Sequence, residues 1–311
     1  MYRTPAAVAA SALLLTVAAC GSTDTTGGDE GTVSVTTSFY PLEYATERVG
    51  GEHVSVTNLT PAGAEPHDLE LSPKQVLEAS RADHLVYLEG FQPSVDEAAT
   101  QAEDTAFDVS TAARLDISTS ADDEHEDHDA EGGNGEGGQD PHFWLDPTRY
   151  ADVADAIAER LAEDDPEHAE DYRANAEAFT AELTELDREL QQDLSDCDQR
   201  DLVTGHAAFA YFADRYGFHQ VPVSGLTPDA QPSSAAMADL IAHIKDEDIS
   251  TVYTEPLVPR DLADTVARDS GADVAVLDPI AGVTEESAGS DYFEIMRSNR
   301  DAVVEGQGCR A

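Results

Sequence analysis

Apolar positions along this chain change period repeatedly, and the changes predict alternating strands and helices. Thr32 to Ser38 (TVSVTTS) alternates polar with β-branched residues and predicts a strand. After Phe39-Tyr40-Pro41, a helical pattern runs from Leu42 to Val49, and His53 to Leu59 (HVSVTNL) alternates again. Ser72 is placed to cap a helix that Pro73 opens and that runs to about Ala82, and His84 to Leu88 (HLVYL) predicts a third strand. Strand, helix, strand, helix, strand is the order of a mostly parallel sheet, so the fold class is α/β.

The second half repeats the theme after two long helical stretches. Asp146-Pro147 opens the first, with Val153, Ile157 and Leu161 on one face, and Asp165-Pro166 punctuates it. From Pro166 to Leu194, Tyr172, Ala176, Phe179, Leu183, Leu186 and Leu190 recur at steps of four and three. A helix of that length would run roughly 40 Å at about 1.5 Å per residue, enough to cross a domain and join two lobes. Strands are predicted at Asp201 to Thr204, Ser250 to Tyr253 and Asp273 to Leu277, with helices at Ala207 to Tyr216, Ser234 to Lys245 and Arg260 to Ser270. The predicted organisation is an N-terminal α/β lobe over 32–165, a linker helix over 166–195 and a C-terminal α/β lobe over 196–311.

The first residues do not belong to that pattern. Arg3 precedes an apolar run from Ala6 to Ala19, too short to span a membrane, which closes on Val17-Ala18-Ala19-Cys20. Small residues directly before a cysteine resemble a bacterial lipobox, so residues 1–19 are expected to be a leader and Cys20 an acylated first residue. The Ser-, Thr-, Gly- and Asp-rich segment 20–31 is expected to be a flexible tether. Outside the cytoplasm, the remaining two cysteines, Cys197 and Cys309, have a structural disulfide as their default reading.

Charge narrows the partners. Of the 311 residues, 64 are Asp or Glu and 17 are Lys or Arg, a net charge of −47, which argues against nucleic acid and favours cations. Self-repulsion on this scale predicts a fold adapted to salt: its melting temperature should rise with added monovalent salt, and a flat dependence would remove the idea. Asp122 to Gln139 (DDEHEDHDAEGGNGEGGQ) is acidic and glycine-rich, and is expected to be a mobile loop. Its His125 and His128 would make it an auxiliary metal-collecting segment.

Four separated stretches each offer a metal-binding side chain: His67 in AEPHD, His142 in DPHFWLDP, His206 in VTGHAAF and Asp278 in AVLDP. Any one of them has an ordinary structural reading, since the chain holds 10 histidines and an aspartate before proline is a common turn residue. Three imidazoles and one carboxylate together, however, would make a closed tetrahedral zinc site. His67, His206 and Asp278 all fall just beyond predicted strands, where open α/β sheets bind ligands.

These phrases carry a resemblance. SFYPL at Ser38, GAEPHDLELSP at Gly63, ADHLVYLEG at Ala82, DPHFWLDP at Asp140, GHAAFAYFA at Gly205, VYTEP at Val252 and VLDPI at Val276 are similar to the metal-specific solute-binding lipoproteins of bacterial ABC importers, also described as cluster A-I. The resemblance covers Val33 to near the C-terminus. It implies two Rossmann-like α/β lobes joined by one long rigid helix, with the metal in the cleft between them. By that resemblance His67 and His142 come from the N-terminal lobe and His206 and Asp278 from the C-terminal lobe. A histidine at the third position indicates zinc, where manganese members carry glutamate.

Some zinc relatives use a glutamate just before the first histidine. Here Pro66 intervenes and Glu65 is one residue further away, so Asp278 or water is the expected fourth ligand. Asp140 and Glu255 are candidates to orient the histidines. The implied function is extracytoplasmic capture of Zn²⁺ as cargo for a membrane permease and its ATPase, by a monomer held to the membrane through lipid on Cys20. The alternatives are a manganese or iron carrier of the same family, an adhesin, and a zinc hydrolase. The hydrolase is disfavoured because Asp278 would close the open coordination position that catalysis needs and no HExxH motif is present.

Overall fold

Proline opens helix after helix in the N-terminal half. A computed structural model describes Met1 and residues 32–118, 138–228 and 230–310. The predicted leader, Cys20, the tether, His125 and His128 lie outside the described residues. The chain begins β1 (Val33–Thr37), α1 (Tyr40–Gly50), β2 (Val54–Asn58), α2 (Pro73–Ala79), β3 (His84–Tyr87), α3 (Pro93–Gln101), β4 (Ala106–Asp108) and α4 (Ser110–Ala113). Pro41, Pro73 and Pro93 stand in the first turn of α1, α2 and α3, where a missing N–H costs nothing. Ser72 and Gln75 form a reciprocal capping box at α2.

α5 (Pro147–Asp164), N-capped by Asp146, and the 25-residue α6 (Ala169–Asp193) pack side by side. The second half is β5 (Asp201–Thr204), α7 (Ala210–Tyr216), β6 (His219–Pro222), α8 (Ser234–Asp246), β7 (Thr251–Thr254), α9 (Asp261–Ser270), β8 (Asp273–Val276) and α10 (Tyr292–Gly306). Each lobe holds a four-stranded, all-parallel sheet, in the orders β2-β1-β3-β4 and β6-β5-β7-β8. α3, β4, α4, β6 and α10 add to the elements expected from periodicity.

Both faces of each sheet are covered, as parallel sheets require. In β3, Leu85 faces an outer cluster with Ala79, Val95 and Ala99, while its neighbour Val86 faces the main core. In the second sheet, Val203 and Val252 face an outer cluster with Ile244 and Val266, and Leu202 and Tyr253 turn inward. The inward faces share one continuous core through α1, α5, α6, α7 and α10. The start of α10 enters it deeply: the Tyr292 ring lies 4.7 Å from Tyr150, and its hydroxyl donates to the Trp144 carbonyl at 2.7 Å. Cys197 and Cys309 are joined by a disulfide across 112 residues of chain.

Candidate metal centre

The carboxyl ends of the strands supply nearly every side chain of the centre. His67 lies in the loop after β2, His206 two residues after β5, Glu255 directly after β7 and Asp278 two residues after β8. In the second sheet the strand order reverses direction between β5 and β7, and His206 and Glu255 sit at that switch point. α7 starts at Ala210, three residues later than the periodicity predicts, because residues 205–209 are used for a turn. The Ala207 amide donates to the Gly225 carbonyl at 3.0 Å and the Ala208 amide to the His206 carbonyl at 2.9 Å. Gly205 is required there, since a Cβ on it would come within 2.5 Å of Glu255 Oε1.

Three of the four expected side chains meet. One ligand atom each from His67, His142 and His206 lies within 4.8 Å of the others, the one such group among the described residues. Nε2 of His67 and Nε2 of His142 are 3.2 Å apart, and the His206 ring centroid is 5.8 Å and 5.3 Å from those of His67 and His142. Asp278 is buried but outside this group. Its Oδ1 accepts the Ile280 amide at 2.8 Å, and Asn299 of α10 clasps its backbone through bonds of 2.8 and 2.7 Å. Glu65 approaches from the other lobe, with Oε1 4.0 Å from His67 Nε2 and accepting the His67 amide at 3.2 Å.

Two of the imidazoles are oriented by carboxylates. His142 Nδ1 is 2.7 Å from Asp140 Oδ1, which also accepts the His142 amide at 2.9 Å. His206 Nδ1 is 2.6 Å from Glu255 Oε2, whose other oxygen accepts the His206 amide at 2.9 Å. A carboxylate on Nδ1 fixes the tautomer and aims Nε2 into the site as an electron-pair donor. Among the described residues, His206 Nε2, Asp140 Oδ2 and Asp278 Oδ2 are buried without a hydrogen-bond partner. That combination of inward imidazole nitrogens and buried carboxylate oxygens is the donor set a borderline cation such as Zn²⁺ accepts.

Sequence reasoning anticipated Asp140 and Glu255 in this role, and missed Asn299. A polar residue on the buried face of α10, among Ile295, Met296 and Val303, was the available signal.

The electrostatics divide the histidines. Burial, reinforced by the neighbouring imidazoles, holds His67 down to about 2, and burial likewise holds His142 well below the ordinary histidine range. For His206 burial also works against the imidazolium, but the Glu255 carboxylate outweighs it by charge and hydrogen bond, so this ring moves up. Burial pushes Asp140 up to about 7, against the His142 amide, and Asp278 up to about 6, against the Ile280 amide. A cation binds the deprotonated forms. Were His206 and Asp278 ligands, the protons favoured on the raised His206 ring and on Asp278 near pH 6 would have to leave when metal binds, so affinity should fall as pH drops from 7 to 5. Zinc titrations by calorimetry at pH 6, in buffers of different ionisation enthalpy, should show net proton release; a value of zero would contradict these assignments.

The family profile described as "Zinc-uptake complex component A periplasmic" matches residues 35–306. "High-affinity zinc uptake system protein ZnuA" of Bacillus subtilis is 32% identical over 304 residues, 94% of each chain. "Zinc-binding protein AdcA" of Streptococcus pyogenes is 37% identical over 290 residues, 88% of this chain and 56% of the relative, so the chain spans little more than half of that relative's length. Among solved structures, the laminin binding protein Lmb of Streptococcus agalactiae, described as having adhesin and metal transporting activity, has a TM-score of 0.77 at 27% identity, over 88% of this chain and 99% of that one. The parallel sheets, the bridging helices and the histidine centre between them thus have one common explanation: the chain belongs to the family of the periplasmic zinc-uptake component.

Proposed function

We propose that this protein captures Zn²⁺ outside the cytoplasm and delivers it, as cargo, to the permease and ATPase of an ABC importer. The observation that carries the reading is the convergence of His67, His142 and His206 from three distant loops, two of them aimed by buried carboxylates. Such an arrangement suits zinc, whereas Mn²⁺ favours more oxygen donors and a higher coordination number. For the fourth ligand we retain Asp278, whose Oδ2 is buried without a hydrogen-bond partner among the described residues, with Glu65, 4.0 Å from His67 Nε2, as its competitor; each has one oxygen on a backbone amide. We further propose 32–165 and 196–311 as the two lobes, 166–195 as the linker, and lipid on Cys20 as the membrane attachment of a monomer. Binding and release, not turnover, is its chemistry, since four protein ligands leave zinc no open position.

The test is native mass spectrometry of the metal-stripped chain offered zinc and manganese in equal amounts. One tightly held zinc with manganese excluded is expected. Preferential manganese would overturn the specificity, and the absence of any tight metal would overturn the site. Asp278→Ala and Glu65→Ala, compared side by side, assign the fourth ligand: Asp278→Ala should give the larger loss of zinc affinity, and the reverse order would transfer the role to Glu65.

A further inference from the structure

Among the described residues, His67 alone of the three clustered imidazoles has no carboxylate on its Nδ1. It has also the most irregular support, a loop between β2 and α2 that carries no secondary structure of its own. Something else must fix that loop if His67 is to hold metal.

The side chain in position to do so is Gln92, the N-cap residue of α3, which is 1% exposed. Its Nε2 donates to the Pro66 carbonyl at 3.1 Å, directly ahead of His67, and to Thr60 Oγ1, also at 3.1 Å. Thr60 in turn donates to the Ser38 carbonyl at the end of β1, at 2.6 Å. One amide group therefore ties both ends of the 60–66 loop segment to the sheet. A carbonyl can only accept, so the Pro66 contact fixes which end of the Gln92 amide faces the loop. The adjacent Phe91 completes the support: its ring meets the His67 imidazole edge to face at 4.7 Å and 85°, and is itself packed against Phe39 at 4.9 Å.

The placement parallels the other lobe. In each sheet the third strand in chain order lies beside the first, β3 beside β1 and β7 beside β5, and the order reverses between them. Glu255 follows β7 and holds His206; Gln92 follows β3 and holds the backbone before His67. The chemistry differs because the targets differ, an imidazole N–H needing an acceptor and a carbonyl needing a donor.

We infer that Gln92 is a positioning residue for zinc capture, acting through the Pro66 carbonyl to hold His67 Nε2 in the centre. The inference rests on His67 being a zinc ligand. It identifies Gln92 as the non-ionisable counterpart of Asp140 and Glu255, which orient His142 and His206.

A double-mutant cycle tests it, with zinc affinity read by chelator competition and the melting temperature of the metal-free form measured alongside. Gln92→Met keeps side-chain length and removes both donated bonds. It should weaken zinc binding about 10- to 100-fold, the usual effect of losing an outer partner of a metal ligand. In a His67→Ala background the same substitution should change affinity less than about threefold, because the ligand it positions is gone. Gln92→Glu preserves size and polarity but places an acceptor against the Pro66 carbonyl, and should reproduce the loss if the methionine variant does not fold. Equal effects of Gln92→Met with and without His67, or parent affinity in both Gln92 variants, would overturn the inference while leaving the ligand assignment standing. Parent affinity in His67→Ala would overturn the ligand assignment itself.

Discussion

Replacing His206 with alanine should lower zinc affinity by more than about 100-fold, beyond the 10- to 100-fold typical of losing a mere outer partner. A hundredfold corresponds to roughly 2.7 kcal/mol of binding free energy. The size follows from position: His206 is the imidazole that the second half of the chain contributes to a cluster otherwise drawn from the first half, and its Nε2 is buried with no competing hydrogen bond among the described residues. Its removal also strands Glu255, whose buried carboxylate then keeps the Gly205–His206 amide contact but loses the imidazole at 2.6 Å. The cost of an uncompensated buried charge should appear as a lower melting temperature of the metal-free protein near neutral pH. Chelator competition at pH 7.5, with circular dichroism to confirm the fold, gives the measurement. Zinc binding like the parent's would show that His206 is not a ligand.

Much of the arrangement behind that prediction was legible from residue patterns. β2 was legible by alternation, since its burial alternates along the strand, whereas β3 and β7 were legible as short apolar runs, because both faces of their sheets are covered and neighbours such as Leu85 and Val86 are both apolar. α6 was legible for the opposite reason, one buried face of Tyr172, Phe179, Leu183, Leu186 and Leu190 against a solvated one. What escaped was short or mixed. β4 has three residues and β6 places His219, Gln220 and Pro222 in a sheet edge, too little alternation for a periodic signal. α10 combined apolar positions with Asn299, whose role is to grip the Asp278 backbone, a contact that spans 21 residues and exists only after folding. The three histidines were legible as types, and their separation of only 3.2 Å between two Nε2 atoms was not, because loop conformation determines it.

The shared core also constrains how such a centre could open. Tyr44, Tyr150, Phe179, Tyr292 and Phe293 form one aromatic group reaching across α1, α5, α6 and α10. Spreading the lobes widely would expose several of these rings at roughly 1.5–3 kcal/mol each. Movement confined to the loops at the strand ends need not separate those helices. Asymmetry between the loops then matters: the imidazoles of His142 and His206 are each held directly by a carboxylate that also takes the residue's amide, whereas the support given to His67 by Gln92 reaches it through the backbone, at the Pro66 carbonyl.

Removing the disulfide by Cys197→Ser with Cys309→Ser should lower folding stability by ~4–5 kcal/mol, the loop-closure value for the 112 residues it spans. For a chain of this size that is a fall in melting temperature of roughly 10 °C. The bridge joins the segment just after α6 to the segment just after α10, so it encloses the whole second sheet and its helices. The same two segments are also paired by backbone bonds, Gln199 N–H to the Gln307 carbonyl at 3.1 Å and Arg310 N–H to the Asp196 carbonyl at 2.8 Å. Those bonds hold the ends together in the folded protein whether or not the sulfurs are linked. The effect should therefore fall on the unfolded chain, which gains freedom, and leave the folded centre intact. Zinc affinity at 25 °C should match the parent within a factor of about two, while the melting curve moves down. Scanning calorimetry of the metal-free double variant decides the matter: a shift below about 3 °C would mean that the cross-link contributes little, and a parallel loss of zinc affinity would mean that it shapes the site directly.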